Sequence, residues 1–105
     1  MPDGEPAVLV TGWIDFAPEH RDAALRAFAD VVAPSRAEPG CVDYAFTPDP
    51  DVPGRVRVVE HWTSDAALRE HLALPHVARL RATIAGLTRT GRSLTHHTVA
   101  ASRPM

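Results

Sequence analysis

Apolar residues that recur at every second position predict three β-strands in this chain, and a segment rich in β-branched residues predicts a fourth. The strands are predicted over residues 7–16, 41–47, 55–62 and 94–100. In the first strand Val8, Val10 and Ile14 share one face, while Leu9 and Trp13 share the other. Both faces of this strand are therefore expected to be at least partly covered.

Apolar residues at helical spacing predict two helical segments between these strands. The first begins near Pro18, because a proline at the start of a helix lacks only an N–H that would be unbonded there. It ends at Glu38-Pro39-Gly40, where proline and glycine favour a sharp turn. The second begins at Ser64, which is a good N-cap, restarts at Pro75 and continues until Gly91.

The predicted order of strand, helix, strand, strand, helix and strand is typical of the α+β ferredoxin-like fold. In that split βαβ arrangement, helices cover one face of a four-stranded antiparallel sheet. A length of 105 residues fits one domain, predicted over residues 7–101 between tails at residues 1–6 and 102–105. The apolar residues on the other face of the first strand need a cover of their own, which predicts a face-to-face homodimer.

The composition predicts a globular protein with a packed core, since 45% of the residues are hydrophobic and 23% are charged. A formal charge of −2 lacks the excess of basic residues that nucleic acids and anionic membranes attract. No long apolar run indicates a membrane span, and the first residues lack the pattern of a secretory leader. The single Cys41 cannot form an internal disulfide, which is typical of a protein in the reducing cytoplasm. From charge, hydropathy and cysteine content together, we expect a cytoplasmic protein without nucleic-acid or membrane partners.

Four segments, taken in their order and spacing, carry a family resemblance. They are Glu38-Pro39-Gly40-Cys41, Val59-Glu60-His61-Trp62, residues 64–72 and Pro75-His76. Over about residues 7–101 the chain resembles the antibiotic biosynthesis monooxygenase family. The resemblance implies a dimeric α/β barrel with a pocket between the sheet and the helices of each subunit. Members of the family include quinol monooxygenases, oxygenases of polyketide-derived anthrones and proteins that degrade haem.

The chemistry that the resemblance implies needs few groups from the protein. A phenolic substrate that has lost its proton can itself donate an electron to O₂, so a dry pocket, a base and hydrogen bonds suffice. The sequence also lacks the Gly-x-Gly-x-x-Gly, Gly-x-x-x-x-Gly-Lys and Gly-x-Ser-x-Gly motifs. We therefore expect an oxidoreductase of secondary metabolism that oxidises a quinol, naphthol or anthrone-type aromatic with O₂ and needs no cofactor or metal.

Three residues near the end of the third strand and on the next helix are candidates for catalysis. Glu60 and Trp62 lie two apart and point to one side, where the family has its pocket. Trp62 is expected to stack on a flat substrate, and Glu60 to accept a proton or orient a histidine. His71 follows on the helix, and an imidazole can act as a base at neutral pH. The structural alternatives are that Trp62 fills the core, that Glu60 pairs with an arginine and that His71 caps the pocket.

Six further residues are candidates for binding the substrate. They are Thr11, Tyr44, Val58, Leu68, His76 and Leu80. Alternatively, Thr11 lies at the dimer interface, Tyr44 in the core and His76 at the helix junction. The anthrone oxygenases carry polar residues and tyrosines around the tryptophan of strand three, whereas this chain has Val58 and Leu68 there.

Two other functions stay open from the sequence. In the first, a pocket histidine such as His71 or His76 binds iron, and the protein binds or degrades haem. In the second, the dimeric barrel holds a small aromatic ligand without catalysis.

His96 and His97 are adjacent on a strand, so their side chains point to opposite faces and cannot bind one ion together. These two histidines therefore do not predict a metal site.

Overall fold

A computed structural model describes residues 5–105 as one sheet with helices packed against it. The elements are β1 (Val8–Phe16), α1 (Arg21–Arg36), β2 (Cys41–Pro48), β3 (Arg55–Trp62), α2 (Asp65–Leu72), α3 (Pro75–Ala85) and β4 (Arg89–Thr98). The strands are antiparallel and lie in the order β2-β3-β1-β4. The predicted α+β ferredoxin-like fold is thus confirmed. Residues 1–4 of the predicted N-terminal tail lie outside the described residues.

The core lies between the helices and one face of the sheet, which we call the helix face. Val8, Ile14 and Phe16 of β1 point to this face and are buried, as their alternation predicted. Val56 and Val58 of the neighbouring strand β3 are buried beside them. Helix α1 closes the core with a buried stripe of alanine, phenylalanine and valine side chains. Even-numbered residues of β1 and β3 are therefore the ones that can reach a site under the helices.

The last third of the chain departs from the prediction. Helix α3 ends at Ala85 with Gly86 as its C-cap, and β4 spans Arg89–Thr98. The predicted fourth strand is therefore present, but its predicted start at Leu94 and the predicted helix end at Gly91 were wrong. Every residue of β4 is exposed, and no burial alternates along it. Backbone hydrogen bonds with β1 hold the strand in place. Such bonds do not require apolar side chains, so the start of β4 is not marked by an alternation of apolar and polar residues.

The pairing of β1 with β4 depends on a glycine. Gly12 has φ +141°, a region that side-chain-bearing residues rarely adopt. A Cβ atom at this position would lie 1.8 Å from the backbone oxygen of Ser93. The missing side chain therefore lets β4 approach β1 closely, which fixes where β4 lies relative to the helices.

The opposite face of the sheet, which we call the open face, carries partly exposed side chains. Leu9, Thr11 and Trp13 of β1 lie on it. The guanidinium of Arg55 lies 4.2 Å from the centroid of the Trp13 ring, and Asp15 pairs with the same guanidinium. Homodimerisation through the open face stays a prediction. None of the helices within residues 5–105 combines the length and apolar character needed to cross a membrane.

Candidate functional site

A cavity of about 400 Å³ lies between the helix face of the sheet and helices α2 and α3. This volume falls in the range of pockets that bind small molecules. Its apolar wall includes Ile14, Phe28, Phe46, Val77, Leu80 and Ile84. Its polar groups at the buried end are Tyr44, Glu60 and His71. The cavity thus combines a surface for an aromatic ring with a few polar groups in one place.

A carboxylate joins two histidines beside this cavity. Oε2 of Glu38 lies 2.7 Å from Nδ1 of His71 and 2.8 Å from Nε2 of His76. All three side chains are largely buried, at 9%, 2% and 13% exposure respectively. A carboxylate oxygen can only accept hydrogen bonds, so each imidazole presents an N–H to it. For His71 this places the proton on Nδ1 and leaves the lone pair of the neutral ring on Nε2.

The free nitrogen of His71 faces the cavity. Within residues 5–105 Nε2 makes no hydrogen bond, whereas every fully buried side-chain nitrogen or oxygen of that range has a partner. Nε2 is therefore not enclosed, and His71 lines the cavity. The ring is held between Tyr44 and Trp62, whose ring centroids lie 5.2 and 4.5 Å from its own. The site thus contains an imidazole with fixed orientation and an available lone pair.

The turn after α1 brings Glu38 to this position. Gly40 has φ +89°, and a Cβ atom there would lie 2.7 Å from Cβ of Ala67 on α2. Only a glycine therefore lets the turn approach α2 this closely. The N–H of Thr63 donates to the Gly40 carbonyl at 2.8 Å, which fixes the turn against the start of α2. Ser64 caps that helix, because its hydroxyl oxygen accepts from the Ala67 N–H.

Glu60 and Trp62 form a second polar pair at the buried end of the cavity. The indole N–H of Trp62 donates to Oε1 of Glu60 at 3.0 Å. Burial raises the pKa of the Glu60 carboxyl, and the indole hydrogen bond and nearby His71 offset part of that rise. Burial also raises the pKa of the Tyr44 hydroxyl, with the nearby Glu60 adding to the effect. Both groups are thus biased towards their protonated forms, each of which can donate a hydrogen bond.

The structure brings five of the nine predicted site residues to the cavity. They are Tyr44, Val58, Glu60, His71 and Leu80. Trp62 shares their face but is 0% exposed and packs beneath His71, so it does not present its ring to the cavity. Its predicted alternative, core packing, describes its position. Glu60 bonds to this indole rather than to an arginine.

The other three predicted residues lie away from the cavity wall. Thr11 is on the open face, where its hydroxyl lies 2.9 Å from Nε2 of His97. The expectation that Thr11 contacts the pocket is therefore corrected, because the helices cover the opposite face. Leu68 is buried in the core on α2, and His76 contacts Glu38 and the hydroxyl of Ser35 behind the cavity.

Several residues at the site were not among those predicted from the sequence. The sequence predicts Glu38 only as part of the turn that ends the first helix. Its presence in one of the four segments that carry the family resemblance was the feature that could have indicated a role at the site. Arg81, Arg89 and Arg92 also line the cavity. The last two lie on the part of β4 that the sequence did not predict as a strand, so nothing in the sequence placed them near the cavity.

The three residues Glu38, His71 and His76 also offer possible metal ligands. One atom from each lies within 4.8 Å of the others. Two imidazole nitrogens and a carboxylate oxygen are a common donor set for divalent transition metals. A cation would have to replace the N–H protons that now bond to Glu38. Because these three residues can either bond to one another or hold a cation, the expectation that the protein needs no metal stays a prediction.

The raised pKa of Glu60 predicts a measurable effect on stability. The folded protein keeps this proton at pH values where the unfolded chain has lost it, so stability falls as pH rises from the ordinary value of 4.5 through the raised pKa. A difference of one in pKa between the folded and unfolded chain corresponds to about 1.4 kcal/mol. We expect Glu60→Gln to remove this decline and to be more stable than wild type at pH 7. Urea denaturation between pH 4.5 and pH 8 measures both curves.

Asp15 does not interfere with that measurement. A hydrogen bond from Arg55 lowers the pKa of its carboxyl, so its contribution is lost only as pH falls below the ordinary value of 3.8. Parallel stability curves for wild type and Glu60→Gln across the range would contradict the assignment.

Comparison with solved structures places the fold among known proteins. PA3566 from Pseudomonas aeruginosa is 29% identical, with a TM-score of 0.82 over 92% of this chain and 97% of that one. Rv0793 from Mycobacterium tuberculosis is 26% identical, with a TM-score of 0.82 over 93% and 99% of the two chains. A structure described as an antibiotic biosynthesis monooxygenase is 28% identical, with a TM-score of 0.79 over 90% and 99%.

Sequence comparison covers the same region. An uncharacterized protein of Synechocystis sp., sll1783, is 30% identical over 69 residues, or 66% of this chain. The match spans only 47% of that relative's length. The family model for antibiotic biosynthesis monooxygenase matches residues 7–83, a range that contains the Glu38, Glu60 and His71 side chains. On this match, and on the four segments that indicated it, the chain belongs to the antibiotic biosynthesis monooxygenase family.

Proposed function

We propose that this protein is a monooxygenase that oxidises a phenolic aromatic of the quinol, naphthol or anthrone type with O₂, with His71 as the base. Family membership and a similar structure described as an antibiotic biosynthesis monooxygenase support the general class. The observation that carries the residue assignment is the 2.7 Å contact between Glu38 and His71, with the other nitrogen of the ring open to an apolar cavity.

Proton removal is the step for which this geometry is best suited. Glu38 accepts from Nδ1 of His71, which holds the ring in one orientation and stabilises the positive charge that the ring gains as a base. The substrate hydroxyl, or the acidic carbon of an anthrone, loses its proton to Nε2. In an apolar cavity the resulting anion is poorly solvated, so hydrogen bonds from the protein contribute strongly to its stability.

The anion then supplies the electrons for the reaction with O₂. One electron passes to O₂, and recombination of the two radicals forms a carbon–oxygen bond and a peroxide. Loss of water from the peroxide leaves one oxygen atom on the ring as a carbonyl, while the other leaves in the water with two substrate hydrogens. His71 returns its proton to the peroxide, then takes the second hydrogen from the same carbon as the O–O bond breaks. It passes that proton to the departing hydroxide, which leaves as water, so neither an external reductant nor a second base is required.

Glu60, Tyr44 and Trp62 have supporting roles in this proposal. Glu60 and Tyr44 line the cavity, and the raised pKa of each favours a protonated group that can donate to an oxyanion or to reduced oxygen. Trp62 acts as a positioning residue, because it supports the His71 ring and bonds to Glu60 from beneath. We also propose that the protein works as a homodimer in which two open faces pack together.

Oxygen uptake tests the proposed activity. Protein treated with a chelator is incubated with an anthrone, a naphthoquinol and a naphthol, and O₂ consumption is compared with the spontaneous rate. We expect acceleration with at least one of them, and one labelled atom in the product when ¹⁸O₂ is used. The His71→Asn variant serves as the protein control. No acceleration with any substrate would overturn the assignment.

Haem binding is the second candidate function, because Nε2 of His71 is a nitrogen that faces the cavity without a hydrogen-bond partner among residues 5–105. Titration with haemin separates the two proposals. A shift of the Soret band that is lost in His71→Asn would favour haem, and an unchanged spectrum would exclude it.

A further inference from the structure

Three arginines surround the outer part of the cavity. Arg81 of α3 and Arg89 and Arg92 of β4 line it and are exposed, whereas His71 and Tyr44 at its other end are buried. We call these three arginines the arginine rim. The cavity therefore has a deep end with the proposed base and an open end with three positive charges.

The charges of the arginine rim are not neutralised by neighbouring carboxylates. No ion pair within residues 5–105 involves any of the three. The only side-chain hydrogen bond that they make within that range runs from Arg81 to the backbone carbonyl of Leu72. Glu60 is the one acidic residue in the cavity wall among residues 5–105, and it lies at the buried end with Trp62. Uncompensated positive charge beside an apolar cavity attracts anions.

Charged residues are also common on edge strands, where they prevent unwanted strand pairing, and β4 is an edge strand. The register argues for a further role. Arg92 pairs with Ile14 and Arg89 with Phe16, two buried residues of the helix face. The pairing places Arg92 on the side of the sheet that faces the cavity. The register shifts between Asp15 and Phe16, and Arg89 lies on the same side because it also lines the cavity. Protection of the edge strand alone would not require these two arginines to face the cavity.

We infer that the substrate is an aromatic molecule that carries an anionic group, such as a carboxylate, at the end remote from the reacting hydroxyl. This inference rests on the proposed function and adds a substrate class to it. The apolar wall holds the ring, His71 meets the hydroxyl, and the arginine rim binds the anion. A guanidinium matches a carboxylate in shape and can donate two parallel hydrogen bonds to it.

Anaerobic binding tests the inference without any turnover. The ligands are 6-hydroxy-2-naphthoate, with its carboxylate at the far end, 3-hydroxy-2-naphthoate, with the two groups adjacent, and neutral 2-naphthol. We expect the 6-hydroxy isomer to bind about tenfold or more tightly than the other two, with a preference that weakens as salt increases. Equal affinities for the three ligands would overturn the inference.

Substitution of the rim identifies the residues responsible. The double variant Arg89→Gln/Arg92→Gln should lose most of the preference for the 6-hydroxy isomer and keep its affinity for 2-naphthol. Arg26→Gln, an exposed arginine of α1 outside the cavity wall, is the matched control and should leave all affinities unchanged. A preference that survives in the double variant would contradict the assignment.

The outcomes also separate this inference from the proposed function. Selective binding of the 6-hydroxy isomer without oxygen uptake on any phenol would remove the oxidation and retain the anion site. Oxygen uptake with equal binding of charged and neutral ligands would support the oxidation and remove the anion site.

Discussion

Replacement of His71 by asparagine is expected to lower kcat by about 10²–10⁴-fold, the usual contribution of a general base. The asparagine amide N–H lies near the position of Nδ1 and can still donate to Glu38, which is 2.7 Å from Nδ1 in the wild type. It has no lone pair in place of Nε2, so the proton acceptor in the cavity is lost. Oxygen uptake gives kcat, and urea denaturation reports whether the fold is retained.

His96→Asn is the matched control for this variant. His96 is also a histidine with a carboxylate partner, Asp65, but both side chains are about half exposed and neither lines the cavity. Its substitution should leave kcat within about twofold, because exposed ion pairs contribute little. A folded His71→Asn variant with the kcat of the wild type would exclude His71 as the base.

Replacement of Trp62 by alanine is expected to destabilise the protein by about 3–5 kcal/mol, because a fully buried tryptophan leaves a large cavity. That is a large part of the roughly 5–15 kcal/mol that stabilises a typical domain. Trp62→Phe keeps most of the ring and should cost only about 1–2 kcal/mol. Denaturant unfolding of the two variants and the wild type measures the difference.

The phenylalanine variant also separates packing from positioning. It removes the N–H that donates to Glu60 at 3.0 Å, a bond that lowers the carboxyl pKa. We expect a folded protein with a further raised Glu60 pKa. Because Glu60 loses the bond that orients its carboxyl and His71 loses part of the ring that supports it, kcat should fall with little change in KM. Equal stability of Trp62→Ala and Trp62→Phe would show that Trp62 is not the core residue that its burial indicates.

The sequence predicted the fold where burial is regular. Strand β3 was predicted over its observed range, Arg55–Trp62, because buried and exposed positions alternate along it. Ser64 was predicted as an N-cap, and the hydroxyl accepts a backbone N–H as expected. The start of β4 was missed because its exposed residues are held by backbone pairing alone.

The site was predicted in outline but not in its connections. Alternation correctly placed Glu60 and Trp62 on the face of the cavity, but it does not report depth, so the burial of Trp62 beneath His71 was not predicted. Glu38 is far from His71 in sequence and follows a helix, where an acid has no evident role. Only the turn at Gly40, pressed against α2, brings the two side chains together.

If His71 takes the proton of a phenol bound in the cavity, the protonation state of a bound chromogenic phenol should report the transfer. A nitronaphthol, whose neutral and anionic forms absorb at different wavelengths, is added anaerobically at a pH where the free ligand is mostly neutral. We predict that the wild type binds it as the anion and that His71→Asn binds it as the neutral phenol. A neutral ligand in the wild type, or the same anionic fraction in both proteins, would contradict the claim.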